Sequence, residues 1–232
     1  MMKNIKFALT LFLFALSFLG NAQTEEPQLI YVMDPQCSWC YSNSGNIEEI
    51  ENALEGKMDI KLQVGGMWLG DDAPQGGASY FEFVNGHFPG MLGKTGAYVS
   101  PAYYDLAADT SYSFSSLEPC AAIVAIDNLY PAKTITFAKG VERALFAEGK
   151  RLDKKETYLE VLKMMHLPTA DFEKTWLSDE NLAETRAEFA SSKIAKTFPS
   201  LLLKTGNKVE VLGTGFFTKE QILPKIEAAI AQ

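Results

Sequence analysis

The stretch Pro35-Gln36-Cys37-Ser38-Trp39-Cys40-Tyr41 decides the fold, because it directly follows the apolar run Leu29-Ile30-Tyr31-Val32-Met33 and Asp34. A β-branched and aromatic run, a proline and then a polar start to a helical pattern predict a strand, a tight turn and the beginning of a helix. Cys37 and Cys40 would share the first helical turn, where their sulfurs could close a small disulfide ring. Unpaired backbone N–H groups and the helix dipole would also stabilise a thiolate there. Both redox forms are then accessible, which favours thiol–disulfide exchange.

Two other uses of a C-x-x-C pair remain open. A structural zinc site needs four ligands, and the other candidates of the soft kind, Cys120, His87 and His166, are scattered and lack a second paired spacing. An inert structural disulfide is the second alternative. The missing ligands and the strand–turn–helix context favour redox chemistry over both, and the sequence therefore predicts no metal ion.

The N-terminus is typical of a secretory signal peptide. Lys3 and Lys6 precede an apolar stretch at 7–19, and Gly20 and Ala22 are small residues suited to a cleavage site. We expect residues 1–22 to be removed and the mature protein to be exported to the periplasm, without stable membrane association. Because the apolar stretch is long for a signal, an uncleaved membrane anchor is the alternative.

Composition limits the classes of partner. The 232 residues include 21 Lys and Arg against 29 Asp and Glu, for a formal net charge of −8, so nothing suggests a nucleic-acid partner. Three cysteines are few for an exported chain of this size, which argues against a scaffold built on disulfides. An exported chain with one C-x-x-C pair is expected to act on the disulfides of other proteins, with no bound cofactor.

The hydrophobic periodicity predicts a sheet in two pieces. Residues 59–64 alternate as a second strand, which completes a βαβ unit with the first strand and helix. Near the C-terminus, 200–204 and 208–212 predict a hairpin. Thr218 and Gln221 resemble a capping box for a last helix, in which Pro224 favours a kink or a later start.

The middle of the chain predicts helices and offers no clear strand. Five segments have helical spacing, at 115–129, 134–148, 154–166, 171–177 and 180–195. The aromatic-rich segment 78–104 has no assignment, because its glycines and prolines are expected to interrupt any long helix. The order predicts an α/β fold with a helical insertion, divided as signal peptide 1–22, N-terminal half 23–66, insertion 67–195 and C-terminal half 196–232.

The sequence resembles the DsbA family of thioredoxin-fold thiol–disulfide oxidoreductases. The resemblance rests on Cys37-Ser38-Trp39-Cys40 after a strand, on a helical insertion, and on Phe198-Pro199-Ser200 before a strand. The stretch from Asp34 to Cys40 looks closest to a branch of predicted disulfide isomerases. The resemblance implies that Cys37 is the attacking, partly exposed thiol and Cys40 the buried resolving thiol. It further implies that Pro199 is cis and that its loop binds an extended substrate strand.

Several roles are left as hypotheses. Trp39 and Phe198 are candidate substrate-binding residues beside Pro199, although Trp39 could equally pack inward. Asp34 is a possible modulator of thiol pKa, or an ordinary Asp-Pro turn residue. Cys120 is expected to be a small buried residue on an apolar helix face. Four aromatic residues and one methionine could line an apolar groove that binds unfolded polypeptide, or could belong to the ordinary core. They are Met67, Trp68, Tyr80, Phe81 and Phe83.

The direction of the reaction stays open at this point, as oxidase, isomerase or reductase. The resemblance implies cysteine-containing substrate proteins and a redox partner that resets the pair. Two other classes remain: a kappa-type glutathione transferase or related small-molecule isomerase, which shares the inserted-helix architecture, and a non-catalytic polypeptide-binding module.

Overall fold

The computed structural model describes residues 26–230, and the predicted signal peptide lies outside them. Its sheet has four strands in the order β2-β1-β3-β4. The strands are β1 (Gln28–Met33), β2 (Ile60–Val64), β3 (Ser200–Thr205) and β4 (Lys208–Thr214). β1 runs parallel to β2 and antiparallel to β3, and β3 is antiparallel to β4 with an irregularity between Leu201 and Leu202.

The sequence of β1 explains its central position. Leu29 and Met33 face the main core, whereas Ile30 and Val32 join Leu202 in a smaller cluster on the opposite face. Successive side chains of a strand point to opposite faces, so a strand that is apolar on both must be covered on both. The predicted hairpin and the βαβ unit therefore meet on this one strand.

Nine helices of four or more residues lie among residues 26–230, in addition to three short 3-10 turns, and the predicted thioredoxin fold with a helical insertion is confirmed. The nine helices are α1 (Ser38–Leu54), α2 (Ala78–Thr95), α3 (Pro101–Ala108), α4 (Leu117–Leu129), α5 (Thr134–Phe146), α6 (Lys155–Met164), α7 (Ala170–Thr175), α8 (Asp179–Ser191) and α9 (Lys219–Ile230). Seven of them, α2 to α8, lie between β2 and β3.

The inserted helices pack directly on the elements that carry the cysteines. Helix α1 contacts α5 of the insertion and α9 of the C-terminal half, while α8 packs against both α4 and the edge strand β2. The start of α1 is therefore bordered by the insertion as well as by the loop that leads into β3.

The expectation of an interrupted helix in 78–104 was wrong. Residues Ala78–Thr95 form a continuous helix of 18 residues with Pro89 inside it. Pro89 lies on the exposed face, whereas Tyr80, Val84, Phe88 and Met91 are buried along the other face. Packing of that face outweighs the poor helix propensity of the glycines and the proline.

The last helix also runs through its proline. Pro224 lies inside α9, which begins at Lys219 as the capping pattern predicts. The backbone N–H of Thr218 donates to Oε1 of Gln221 at 3.0 Å, which is half of the predicted capping box. Across residues 26–230, the helices are all too short or too polar to cross a membrane.

Candidate redox-active site

Cys37 occupies the junction between the active-site turn and α1. Its backbone N–H donates to the carbonyl of Asp34 at 3.0 Å, and its own carbonyl accepts from Tyr41 N–H at 3.0 Å. Cys37 is thus the N-cap residue of α1, with extended backbone angles of φ −84° and ψ 114°. The predicted strand–turn–helix places the sulfur at the helix end where unpaired N–H groups favour an anion.

The loop before β3 closes over the Cys37 sulfur. Sγ of Cys37 lies 3.7 Å from the carbonyl oxygen of Phe198, within reach of a weak S–H hydrogen bond. The Phe198–Pro199 peptide bond is cis, as the resemblance implies. Cys37 is only 6% exposed, less than that resemblance suggests, because Phe198 lies beside it.

Cys40 lies one helical turn further in and is fully buried. Burial raises the pKa of the Cys40 thiol well above its ordinary value, and the adjacent Cys37 thiol raises it further. No disulfide joins the two cysteines in this structure. The two sulfurs therefore differ in environment, with one at the loop interface and one enclosed in the core.

A buried acid, Glu142 of α5, belongs to the same environment and was not anticipated from the sequence. It is 2% exposed, and its Oε1 has no hydrogen-bond partner among the residues described. Burial raises the pKa of Glu142 well above its ordinary value, and the negative charge of a Cys37 thiolate would raise it further. The sequence feature that could have identified Glu142 as buried is its position on the apolar face of a predicted helix, four residues after Ala138 and three before Leu145.

Asp34 ties three segments together beneath the active-site turn. Its carboxylate accepts hydrogen bonds from Gln36 N–H at 2.9 Å, Met67 N–H at 2.6 Å and the Ser116 hydroxyl at 3.0 Å. Asp34 is fully buried, and burial raises the pKa of its carboxyl while these hydrogen bonds oppose the rise. Its contacts are those of a structural tie, and its effect on the thiols stays a prediction.

Cys120 approaches the other side of the same carboxylate. Its sulfur lies 3.8 Å from Oδ2 of Asp34, and the residue is fully buried, as expected from the apolar face of α4. Burial raises the pKa of the Cys120 thiol well above its ordinary value. Cys120 therefore stays protonated and shielded, apart from the Cys37–Cys40 pair.

Trp39 borders the site rather than packing wholly inward. It is partly exposed, with the ammonium of Lys94 6.0 Å from its ring centroid. Together with Cys37 it lines a cavity of about 120 Å³. The other lining residues are mostly aromatic: Gln36, Ser38, Met67, Trp68, Tyr80, Phe83, His87, Phe88 and Tyr103.

The lining of this cavity agrees in part with the hypothesis that a set of aromatic and methionine residues forms an apolar groove. Four members of the proposed set line it, although Tyr80 is 6% exposed and packs in the core. Phe81 is 37% exposed and lies outside it. His87, for which the sequence suggested no role, lines the cavity with its ring stacked on Phe83. In the described part of the chain, no three His, Cys, Asp or Glu residues cluster as metal ligands would.

Several solved structures share the fold of this chain. No family model matches the sequence, and no curated protein matches it. Among solved structures, a predicted protein disulfide isomerase from Nitrosomonas europaea has a TM-score of 0.77 and 20% identity, over 90% of this chain and 99% of its own. The cytosolic disulfide reductase DsbM from Pseudomonas aeruginosa, also solved with GSH, has a TM-score of 0.73 and 27% identity, over 88% of this chain and at least 98% of its own.

The chain has the fold of the DsbA-like thiol–disulfide oxidoreductases. A predicted DsbA oxidoreductase from Streptomyces coelicolor shares it at a TM-score of 0.63 and 11% identity, over 89% of this chain and 91% of its own. The resemblance predicted from the C-x-x-C and Phe-Pro elements is confirmed. The neighbours also agree with the predicted class of enzyme, a thiol–disulfide oxidoreductase.

Proposed function

We propose that the protein exchanges disulfides with cysteine-containing substrates through the Cys37–Cys40 pair. The observation that carries this proposal is the placement of the Cys37 sulfur, at the start of α1 and 3.7 Å from the Phe198 carbonyl, with Cys40 buried one turn behind it. The 27% identity to a disulfide reductase supports the same chemistry.

The reaction proceeds in two balanced steps. The Cys37 thiolate attacks a substrate disulfide, forms a mixed disulfide and releases the first substrate thiolate. The Cys40 thiolate then attacks the Cys37 sulfur, closes the intramolecular disulfide and releases the second thiolate. The dithiol has lost two electrons to the substrate, and its two protons end on the two substrate thiols. The reverse sequence oxidises a substrate dithiol.

The second step requires Cys40 to lose its proton inside the core. Burial raises the pKa of both Cys40 and Glu142, so burial favours the protonated form of each group. Glu142 interacts electrostatically with Cys40 and is our candidate for the group that accepts the Cys40 proton, a role in which Glu142 must itself be ionised at that step. Substrate contact would come from Trp39 and from the Phe198–Pro199 loop.

The mixed disulfide provides the direct test of these roles. Cys40→Ser should accumulate a covalent adduct on Cys37 when mixed with a substrate disulfide, detectable by mass spectrometry of the intact protein. Cys37→Ser should form no adduct. Cys120→Ala is the matched control and should behave like the parent. An adduct on Cys120, or none on the Cys40→Ser variant, would overturn the assignment.

Direction follows from the redox equilibrium of the pair. We favour oxidase or isomerase action on exported substrate proteins, with a separate protein that resets the pair; the neighbour DsbM is a cytosolic reductase. Equilibration in glutathione buffers separates these outcomes. A potential near about −120 mV, as in DsbA, identifies a disulfide donor, and one near about −270 mV, as in thioredoxin, identifies a reductase.

Export itself is a further part of the proposal. It rests on the basic and apolar pattern of residues 1–22, with cleavage after Ala22. Expression of the full chain in a bacterium that has a periplasm should yield a periplasmic protein that begins at Gln23. An intact N-terminus in the cytosolic fraction would refute export without touching the exchange chemistry.

A further inference from the structure

A second, larger cavity lies next to the Phe198–Pro199 loop. Its volume is about 940 Å³, and Phe198 forms part of its wall. Met67 lines both this cavity and the smaller one at Cys37, so the two cavities are neighbours. A cavity of this size is within the range that binds small organic ligands. The cavity adjoins the site through Phe198, whose carbonyl oxygen lies 3.7 Å from the Cys37 sulfur.

Two aromatic rings packed against glycines form part of the wall of this cavity. Gly65 and Gly66 let two aromatic rings lie against the backbone, because a Cβ at Gly65 would fall 2.3 Å from the Phe198 ring and one at Gly66 2.7 Å from the Phe189 ring. Gly66 also has a positive φ of 63°. The two glycines therefore allow the Phe198 and Phe189 rings to form the apolar part of the cavity wall.

The charged groups of the wall are mainly cationic. Arg186 and Lys193 line the cavity and are exposed, and neither forms an ion pair with any residue of 26–230. The acidic lining residue, Glu118, accepts a hydrogen bond from the Ser115 hydroxyl at 2.5 Å. Two cations without an ion-pair partner among the described residues, on a protein with a net charge of −8, make a local site of opposite sign; Arg186 also donates a hydrogen bond to the Leu182 carbonyl at 3.4 Å.

We propose that this cavity binds the carboxylate-bearing part of a small thiol or disulfide whose sulfur exchanges with Cys37. The inference rests on the proposed function and adds a substrate class to it. Arg186 and Lys193 attract the carboxylate, while Phe198 and Phe189 contact the apolar part of the ligand. The covalent steps are those given above, with the small disulfide reduced to two thiols as Cys37 and Cys40 are oxidised.

Three small disulfides of similar size test the charge preference. The neutral probe is bis(2-hydroxyethyl) disulfide, the anionic probe is 3,3′-dithiodipropionate and the cationic probe is cystamine. The rate constant for oxidation of the reduced protein is measured with each probe, by acid quench, thiol alkylation and mass spectrometry. Each variant is compared with the parent for the same probe, so that differences in intrinsic reactivity between the probes cancel.

The informative variant is Arg186→Gln combined with Lys193→Gln. We expect its rate constant for the anionic probe to fall about tenfold relative to that for the neutral probe, and the cationic probe to gain. The matched control combines Lys163→Gln with Lys208→Gln, two exposed lysines without ion pairs among the described residues, and changes the net charge equally. About 0.5 M salt should reduce the preference in the parent, because exposed charges are screened.

The outcomes separate this inference from the proposed function. If the parent fails to react with all three probes and with protein disulfides, the proposed function falls. If the parent reacts but the double variant changes the three rates equally, the cavity does not select anionic ligands and the inference alone falls. An equal change in the control variant would assign the preference to overall charge, which would also overturn it.

Discussion

The two ends of the chain and the helices between them contribute different parts of the candidate site. The ends supply Cys37, which we propose as the attacking thiol, and the cis Phe198–Pro199 loop that lies over its sulfur. The inserted helices supply the buried acid Glu142 and the Ser116 hydroxyl that holds Asp34. The proposed exchange chemistry therefore depends on a short local motif, whereas the environment of that motif is assembled from residues far apart in sequence.

The largest expected loss of activity comes from a substitution in the N-terminal half, at Cys37. Cys37→Ser replaces the attacking thiolate by a hydroxyl that is far less acidic, so we expect exchange with any disulfide to fall at least about 1,000-fold. The measurement is the rate of disulfide reduction in a glutathione-coupled assay. Cys120→Ala, which changes a buried thiol of the insertion, should retain most of the activity. Equal losses in both variants would remove the distinction between the two regions.

The next largest effect is a loss of stability on substitution of Asp34, the residue that joins the two regions. Asp34→Ala removes the carboxylate that accepts hydrogen bonds from Gln36 N–H, Met67 N–H and the Ser116 hydroxyl. Because buried donors to a charged group are left unpaired, the free energy of unfolding should fall by about 3 kcal/mol. Urea denaturation followed by circular dichroism measures it.

Two further substitutions sharpen the result for Asp34. Asp34→Asn retains one carbonyl acceptor in the same shape, so it should lose less stability than Asp34→Ala. Asp105→Ala changes an exposed acid on α3 and should stay within about 0.5 kcal/mol of the parent. If Asp34→Ala is as stable as Asp105→Ala, the carboxylate does not hold the segments together.

Glu142 should make stability fall as pH rises. Burial raises the pKa of its carboxyl in the folded state, so above the ordinary value near 4.5 the folded state holds a proton that the unfolded state has lost. The free energy of unfolding then decreases with pH, by up to about 1.4 kcal/mol per pH unit, until the folded-state pKa is passed. Glu142→Gln carries no such proton, so its stability relative to the parent should increase from pH 5 upwards.

The control for Glu142 is Glu156→Gln, which replaces an exposed acid on α6. Its stability relative to the parent should be nearly constant with pH. Other titrating groups, such as Asp34, are present in all three proteins and cancel in the differences. A flat difference for Glu142→Gln as well would show that folding does not raise the pKa of Glu142, and the predicted pH dependence would be wrong.

The sequence predicted the parts of the fold that depend on local pattern. The apolar run of β1, the C-x-x-C turn and the capping pair Thr218 and Gln221 each have short signals that the structure confirms. Helix α2 was missed, because its stability comes from packing of Val84 and Phe88 and not from its own propensity. Glu142 was missed because a charge on an apolar face becomes informative only when the face is known to be buried.

The smallest effect concerns a helix cap in the insertion. The Ser178 hydroxyl accepts a hydrogen bond from Asn181 N–H at 3.3 Å at the start of α8, the helix that carries Arg186. Ser178→Ala should cost about 1 kcal/mol of unfolding free energy, whereas Ser178→Gly should cost only a few tenths, because glycine is itself an acceptable N-cap. Thermal unfolding of both variants measures the difference. Exchange of the neutral disulfide should stay at the parental rate in both, since the cap touches neither Cys37 nor its loop. A loss of exchange that follows the loss of stability would mean that α8 controls the sulfur as well as the cavity wall, and the separation between the two regions would not hold.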